Sequence, residues 1–159
     1  MPVETITSPA IQAAVQAALA RHGTAHDALV PILSDVNRAL GYLPLAALEA
    51  VRQALREPPS HVESVATFYS LLSTHPRGRH IIRFCESAPC HVVGGREVWN
   101  AVQAALHLQP GETSADGKWT LVTTSCLGLC AVGPLLVVDD DVHGNVEASR
   151  VPEILAQYA

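Results

Sequence analysis

The sequence predicts an α+β protein, with a small antiparallel helical bundle over residues 1–76 and a mixed domain of strands and helices over residues 77–159. Three observations carry this. From Ile11 to Leu72 the apolar residues recur at helical spacing. At His75-Pro76-Arg77-Gly78 the pattern changes to alternation, which marks strands and places the domain boundary. All four cysteines of the chain lie in the second part, as two tight pairs that each follow a strand.

Residues 1–8 carry no periodic pattern and are expected to be loose. Pro9 can open a helix that runs to His22, with Ile11, Ala14, Val15, Ala18 and Leu19 on one face. Gly23 stops it, and Thr24 with Asp27 signals a second helix over about 25–40, with Pro31 in or near its first turn. Gly41-Tyr42-Leu43-Pro44 is a turn, Leu45 to Leu55 a third helix, and Pro58-Pro59 a break. Ser60 with Glu63 reads as a capping box for a fourth helix over about 61–72, buried through Val62, Val65, Phe68, Tyr69 and Leu72. His61, Glu63, Tyr69 and His75 are the polar groups in view, and they lack metal or general-base spacing. The bundle reads as a docking module.

Beyond the boundary, a strand over 80–85 leads to Cys85 and Cys90. Gly94-Gly95 turns the chain into a helix over about 95–107, with Val98, Val102, Ala105 and Leu106 inward. Asp116-Gly117 marks a turn before a strand over 119–124, which leads to Cys126 and Cys130. Strand, crossover helix and strand make a parallel pair. Leu135 to Val138 is a third strand, Asp139-Asp140-Asp141 a solvated turn, and His143-Gly144-Asn145-Val146 a short hairpin partner. A last helix runs from about Ser149 to Tyr158, giving the order β-α-β-β-β-α. Pro134, between the second cysteine loop and an apolar strand, is expected to follow a cis bond.

The cysteines stand in Cys85-Glu-Ser-Ala-Pro-Cys90 and Cys126-Leu-Gly-Leu-Cys130, spacings of C-x4-C and C-x3-C. Thiolates are soft ligands, and four of them suit an iron–sulfur cluster or zinc. Met1-Pro2-Val3-Glu4 has neither a positive nor an apolar leader pattern, so the chain reads as cytoplasmic and its thiols as reduced rather than disulfide-bonded. Four inert buried thiols would explain scattered cysteines better than paired ones. The short C-x2-C knuckle of zinc sites and of dithiol exchange is absent, as are the two histidine ligands of a Rieske centre. Spacing favours [2Fe–2S] over zinc, with zinc the rival. Gly128 and Gly133 are placed to let backbone N–H groups approach cluster sulfurs.

The surrounding residues narrow the choice. Gly78-Arg-His-Ile-Ile-Arg-Phe-Cys85, Ala88-Pro-Cys-His-Val-Val-Gly-Gly95, Pro110-Gly-Glu-Thr113, Asp116-Gly-Lys-Trp-Thr-Leu121 and Ser125-Cys-Leu-Gly-Leu-Cys130 are shared with a known family. Upstream, Gly41-Tyr-Leu-Pro44 and Val65-Ala-Thr-Phe-Tyr-Ser70 fit it too. Together they resemble the thioredoxin-like [2Fe–2S] subunit of NADH:quinone oxidoreductase (complex I), whose relatives serve soluble NAD-dependent formate dehydrogenases and NAD-linked hydrogenases. The resemblance implies a thioredoxin-like second domain, with Cys85, Cys90, Cys126 and Cys130 as ligands of one [2Fe–2S] cluster. It also implies an electron-transfer subunit without activity of its own. Its partner would be the subunit that holds FMN and NAD(H), joined by further iron–sulfur subunits. The stretch Ala131-Val-Gly-Pro134 varies among relatives, so complex I, formate dehydrogenase and hydrogenase all remain open as parent. A zinc-bound interaction module and a stand-alone redox sensor are the rival classes.

Composition bounds the rest. A hydrophobic share of 48% against 16% charged describes a globular chain, and a net charge of −5 argues against nucleic acid. No apolar run approaches the roughly 18 residues of a membrane helix, which predicts a soluble protein. No Gly-x-Gly-x-x-Gly follows a strand, so no nucleotide site is expected on this chain. Arg77, Arg79, His80 and Arg83 form a local basic cluster, which reads as a solvated face or as a steering patch for an acidic partner.

Overall fold

The structure, a computed structural model, describes residues 8–158. The expectation of a loose N-terminus therefore lies outside the described residues, except that Ser8 already belongs to a helix. The chain divides into two compact units, one ending at Pro76 and the other beginning at Arg77.

The first unit is helical. Helix α1 spans Ser8–His22, α2 Leu29–Leu40, α3 Leu45–Leu55 and α4 Pro59–Phe68, with a 3₁₀ turn over His26–Ala28. Pro31 sits in the first turn of α2, where its missing N–H costs no helical bond. Gly41 closes α2 in the left-handed conformation, at φ 79°. The core is built of Ile11, Val15, Ile32, Leu33, Val36, Leu43, Ala47, Val51 and Val62, all buried.

Helix α4 departs from its expected form. It begins at Pro59, with Pro58 extended before it, so Ser60 lies inside the first turn and caps nothing. Proline at the first helical position is pre-set in φ and starts the helix ahead of the serine. The helix also ends early, at Phe68, because Tyr69 turns extended. Its buried positions are Val62 and Ala66, four apart. Phe68 stands about 200° further round the helix than Ala66, and it is 80% exposed instead of buried.

The second unit holds a four-stranded sheet. Strand β1 spans His80–Cys85, β2 Trp119–Thr124, β3 Leu136–Val138 and β4 Asp141–His143, in the order β2-β1-β3-β4. Strand β1 pairs parallel with β2 and antiparallel with β3, which in turn pairs antiparallel with β4. A short turn, α5, spans Ala88–Cys90; helix α6, Arg96–Leu106, is the crossover, and α7, Val151–Ala156, closes the chain after a 3₁₀ turn over Ala148–Arg150. The α+β class and the β-α-β-β-β-α order are as the sequence predicts, although Ala105 faces solvent. Alternation along β1 sends Ile82 and Phe84 to one face. There they pack with Trp119, Leu121, Leu136 and Val138 against Val98 and Val102 of α6 and Val151 and Ile154 of α7.

The β3–β4 hairpin turns at Asp139 and Asp140, and Asp141 already belongs to β4, so the partner strand lies earlier than 143–146. Asp139 is also less free than a solvated turn residue. Its carboxylate accepts from Ile81 N–H and meets His80 Nδ1, both at 2.8 Å, and Arg83 donates to its carbonyl. Part of the basic cluster is thereby spent inside the sheet.

Candidate metal centre

Two parallel strands that start together also end together. Residue His80 aligns with Trp119 and Cys85 with Thr124, so both cysteine loops leave the sheet at one edge, the carboxyl end of β1 and β2. That edge is where parallel sheets place their chemistry. Cys85 is the last residue of β1, on the face opposite Phe84, and Cys126 follows Thr124 by two residues.

The first loop is short and tightly packed. Glu86 N–H donates to Thr124 O at 3.0 Å, Ser87 is extended, and the α5 turn carries Pro89 near its start. The chain then bends over His91–Gly95, with Gly94 at φ 101°, before entering α6. Gly95 presses against the turn so closely that a Cβ there would lie 2.6 Å from Cys90 O. Only glycine permits this approach without backbone movement.

The second loop wraps the first. Gly128, at φ 81°, donates its N–H to Cys126 Sγ at 3.3 Å. A 3₁₀ turn over Cys130–Val132 follows, then a cis Gly133–Pro134 bond, as expected for this position. Gly133 acts differently from the expectation. Its N–H donates to Cys130 O, not to a sulfur. What it contributes is space, because a Cβ at Gly133 would stand 3.3 Å from Cys90 Sγ.

The four thiols are free, Cys85 and Cys90 buried with Leu135, Cys126 and Cys130 exposed. Burial pushes Cys85 up, but the Ser87 backbone, the Cys90 thiol and the Leu127 backbone outweigh it and leave Cys85 lowered. Cys90 is raised, by burial first and then by its hydrogen bond to Cys85. Cys130 is raised, chiefly by its hydrogen bond with Cys126 and then by partial desolvation. Backbone donors thus come to these sulfurs from both loops: Leu127 of the second reaches Cys85 of the first.

The sulfurs form two pairs rather than one tetrahedron. Cys126 Sγ and Cys130 Sγ are 3.6 Å apart, close to the ~3.8 Å of two thiolates on one tetrahedral metal with bonds of about 2.3 Å. A single zinc would need all four sulfurs at that spacing. Among the described residues, the one group of three or more ligand atoms within 4.8 Å of one another does not include the cysteines. Two tethered pairs suit a binuclear cluster, in which each metal takes two thiolates.

A thioredoxin-like sheet with two cysteine pairs at its carboxyl edge defines an iron–sulfur class of protein. The family described as thioredoxin-like [2Fe-2S] ferredoxin matches residues 15–159, and the chain belongs to it. The E subunit of the NADH-quinone oxidoreductase of Escherichia coli (strain K12) is 40% identical over 131 residues, covering 82% of this chain and 79% of that protein. The corresponding E 2 subunit of Rhizobium meliloti (strain 1021) is 35% identical over 144 residues, covering 91% and 86%. Among solved structures, an NAD+-reducing [NiFe]-hydrogenase in the air-oxidised state superposes on 79% of this chain with a TM-score of 0.68 and 25% identity. The chain spans 22% of that hydrogenase chain. The resemblance drawn from the cysteine motifs stands.

A second group of ligand-type side chains is missed by sequence spacing. His26, Glu57 and His61, all in the helical unit, offer donor atoms within 4.8 Å of one another. Spacing brings only His61 into view, because thirty-one positions separate His26 from Glu57.

Proposed function

We propose that this chain is the electron-transfer subunit of an NAD(H)-linked oxidoreductase complex, with one [2Fe–2S] cluster held by Cys85, Cys90, Cys126 and Cys130. The observation that carries this is the arrival of two cysteine pairs at one sheet edge, one pair buried and the other exposed. When bound, such a cluster supplies a one-electron redox site. The buried pair anchors it to β1 and α5, and the exposed pair leaves one side open for exchange with a partner. Backbone N–H groups aimed at the sulfurs, as from Gly128, tune the site by favouring its more negative state.

The partner is the subunit that binds FMN and NAD(H), with further iron–sulfur subunits beyond it. Support comes from relatives named as E subunits of NADH-quinone oxidoreductase and from the fold shared with an NAD+-reducing hydrogenase. The surface agrees in kind. Around the cysteine loops Val92 is 86% exposed, and Val93, Leu129 and Val132 are exposed with it. An apolar rim of this sort costs free energy in water and suits a covered interface. The helical unit is proposed as a docking module, with Phe68 and Leu45 bare on its surface.

Each ligand is tested by replacement with serine. Cys85→Ser, Cys90→Ser, Cys126→Ser and Cys130→Ser should each lower iron content or broaden the reduced-state EPR signal. Two of the four tolerating alanine with an unchanged signal would remove the assignment.

A further inference from the structure

The helical unit assembles a second set of metal-type ligands from three separate segments. His26 heads the 3₁₀ turn before α2, Glu57 lies in the corner between α3 and α4, and His61 is in the first turn of α4. The corner is what positions Glu57. Arg56 adopts the left-handed conformation at φ 56°, its N–H donates to Gln53 O, and Glu57 N–H donates to Arg52 O. This pattern reverses the chain at a helix end. Pro58 and Pro59 then start α4 at once, bringing His61 to the same side as Glu57.

The geometry is convergent. His61 Nδ1 meets Glu57 Oε2 at 2.8 Å, and His26 Nδ1 meets the other carboxylate oxygen. The two imidazole rings lie 5.4 Å apart at 30°. The Glu57 side chain is only 8% exposed, while His26 is 75% exposed and open to water. A carboxylate buried to that degree requires compensation. Among the described residues its ion-pair partners are these two histidines.

We propose that His26 Nδ1, His61 Nδ1 and the Glu57 carboxylate bind a zinc-type divalent cation, with water as the fourth ligand; each imidazole ligates as the neutral tautomer with its proton on Nε2, so the Nδ1 contacts to Glu57 give way to bonds to the ion. Two imidazoles and one carboxylate form a zinc donor set, whereas calcium and magnesium prefer oxygen throughout. The ion places a fixed positive charge beside the buried carboxylate. It also clips the turn before α2 to the α3–α4 corner, so binding stabilises the helical unit by mass action. The site includes none of the cysteines, which belong to the other unit.

The test uses the untagged full chain with its cluster in place, so that the cysteines are occupied. The chain is dialysed against a chelator, titrated with zinc chloride by calorimetry, and then analysed for zinc and iron. The expected result is one zinc per chain with iron unchanged, and a thermal midpoint that rises with zinc. His26→Ala, which removes an exposed ring, should weaken zinc binding at least tenfold and abolish the rise. His61→Ala should do the same. Absence of stoichiometric zinc, zinc retained with equal affinity by His26→Ala, or zinc taken up only as iron is lost would each overturn the proposal.

Discussion

Gly95 shows how much of the cysteine site depends on single residues without chemistry of their own. Its Cα faces the Cys90 carbonyl so closely that a methyl group must push the backbone of the α5 turn aside. Gly95→Ala should therefore destabilise the second unit by about 1–3 kcal/mol, the usual range for overpacking, and lower iron retention by displacing Cys90. Urea unfolding and iron analysis check both; unchanged stability and iron content would show that the turn yields freely. The cysteines themselves are legible in the sequence, because paired spacing after strands is a local signal. The partners of their sulfurs are only half legible. Gly128 does donate to Cys126 Sγ, but Gly133 serves by lacking a side chain, a distinction that rests on loop conformation. Phe68 misleads for a different reason. The run Val62, Val65, Phe68 looks apolar at helical spacing, yet it drifts round the helix away from the buried Val62–Ala66 line.

At the scale of elements, β1 is the central support of the site, paired on both sides and ending in Cys85. Phe84 fills the core beneath it and lies 5.0 Å from the Trp99 ring of α6. Phe84→Ala should cost about 3–5 kcal/mol in denaturant unfolding; a loss below about 1 kcal/mol would mean that the core collapses into the gap. The α3–α4 corner makes a pH prediction. Glu57 is held below its ordinary carboxyl value of 4.5, first by His61 and then by His26, against the opposing effect of burial. The folded chain thus binds that proton less readily than the unfolded chain. The resulting stability is present above about pH 4.5 and is lost as pH falls through the folded value. Asp35, lowered by its hydrogen bond to His22, has the same sign. Thermal melts in metal-free buffer should show the midpoint falling below that pH, with a shallower fall in Glu57→Gln; equal slopes in the two chains would contradict this. The strands and the parallel crossover can be read from alternation and length. The α4 start cannot, because a capping box and a proline at the first helical position compete for one helix end and the proline wins.

For the molecule as a whole, the boundary at Pro76–Arg77 separates a helical unit from the unit with the cysteines, each with its own core. Among the described residues no helix is long and apolar enough to cross a membrane. The apolar rim gives the partner proposal a separable test. Val92→Glu changes an exposed side chain that is no cluster ligand, so iron content should hold while binding of the flavin subunit weakens. Undiminished binding would move the interface away from the cysteine loops. The most direct measurement is stopped-flow bleaching of the cluster. NADH gives up two electrons as a hydride, whereas a single [2Fe–2S] site accepts one, so a flavin must stand between them. The purified chain should be bleached by dithionite but not by NADH at a useful rate, and adding the FMN-binding subunit should make NADH competent. Rapid bleaching of the isolated, flavin-free chain by NADH would contradict the electron-transfer reading.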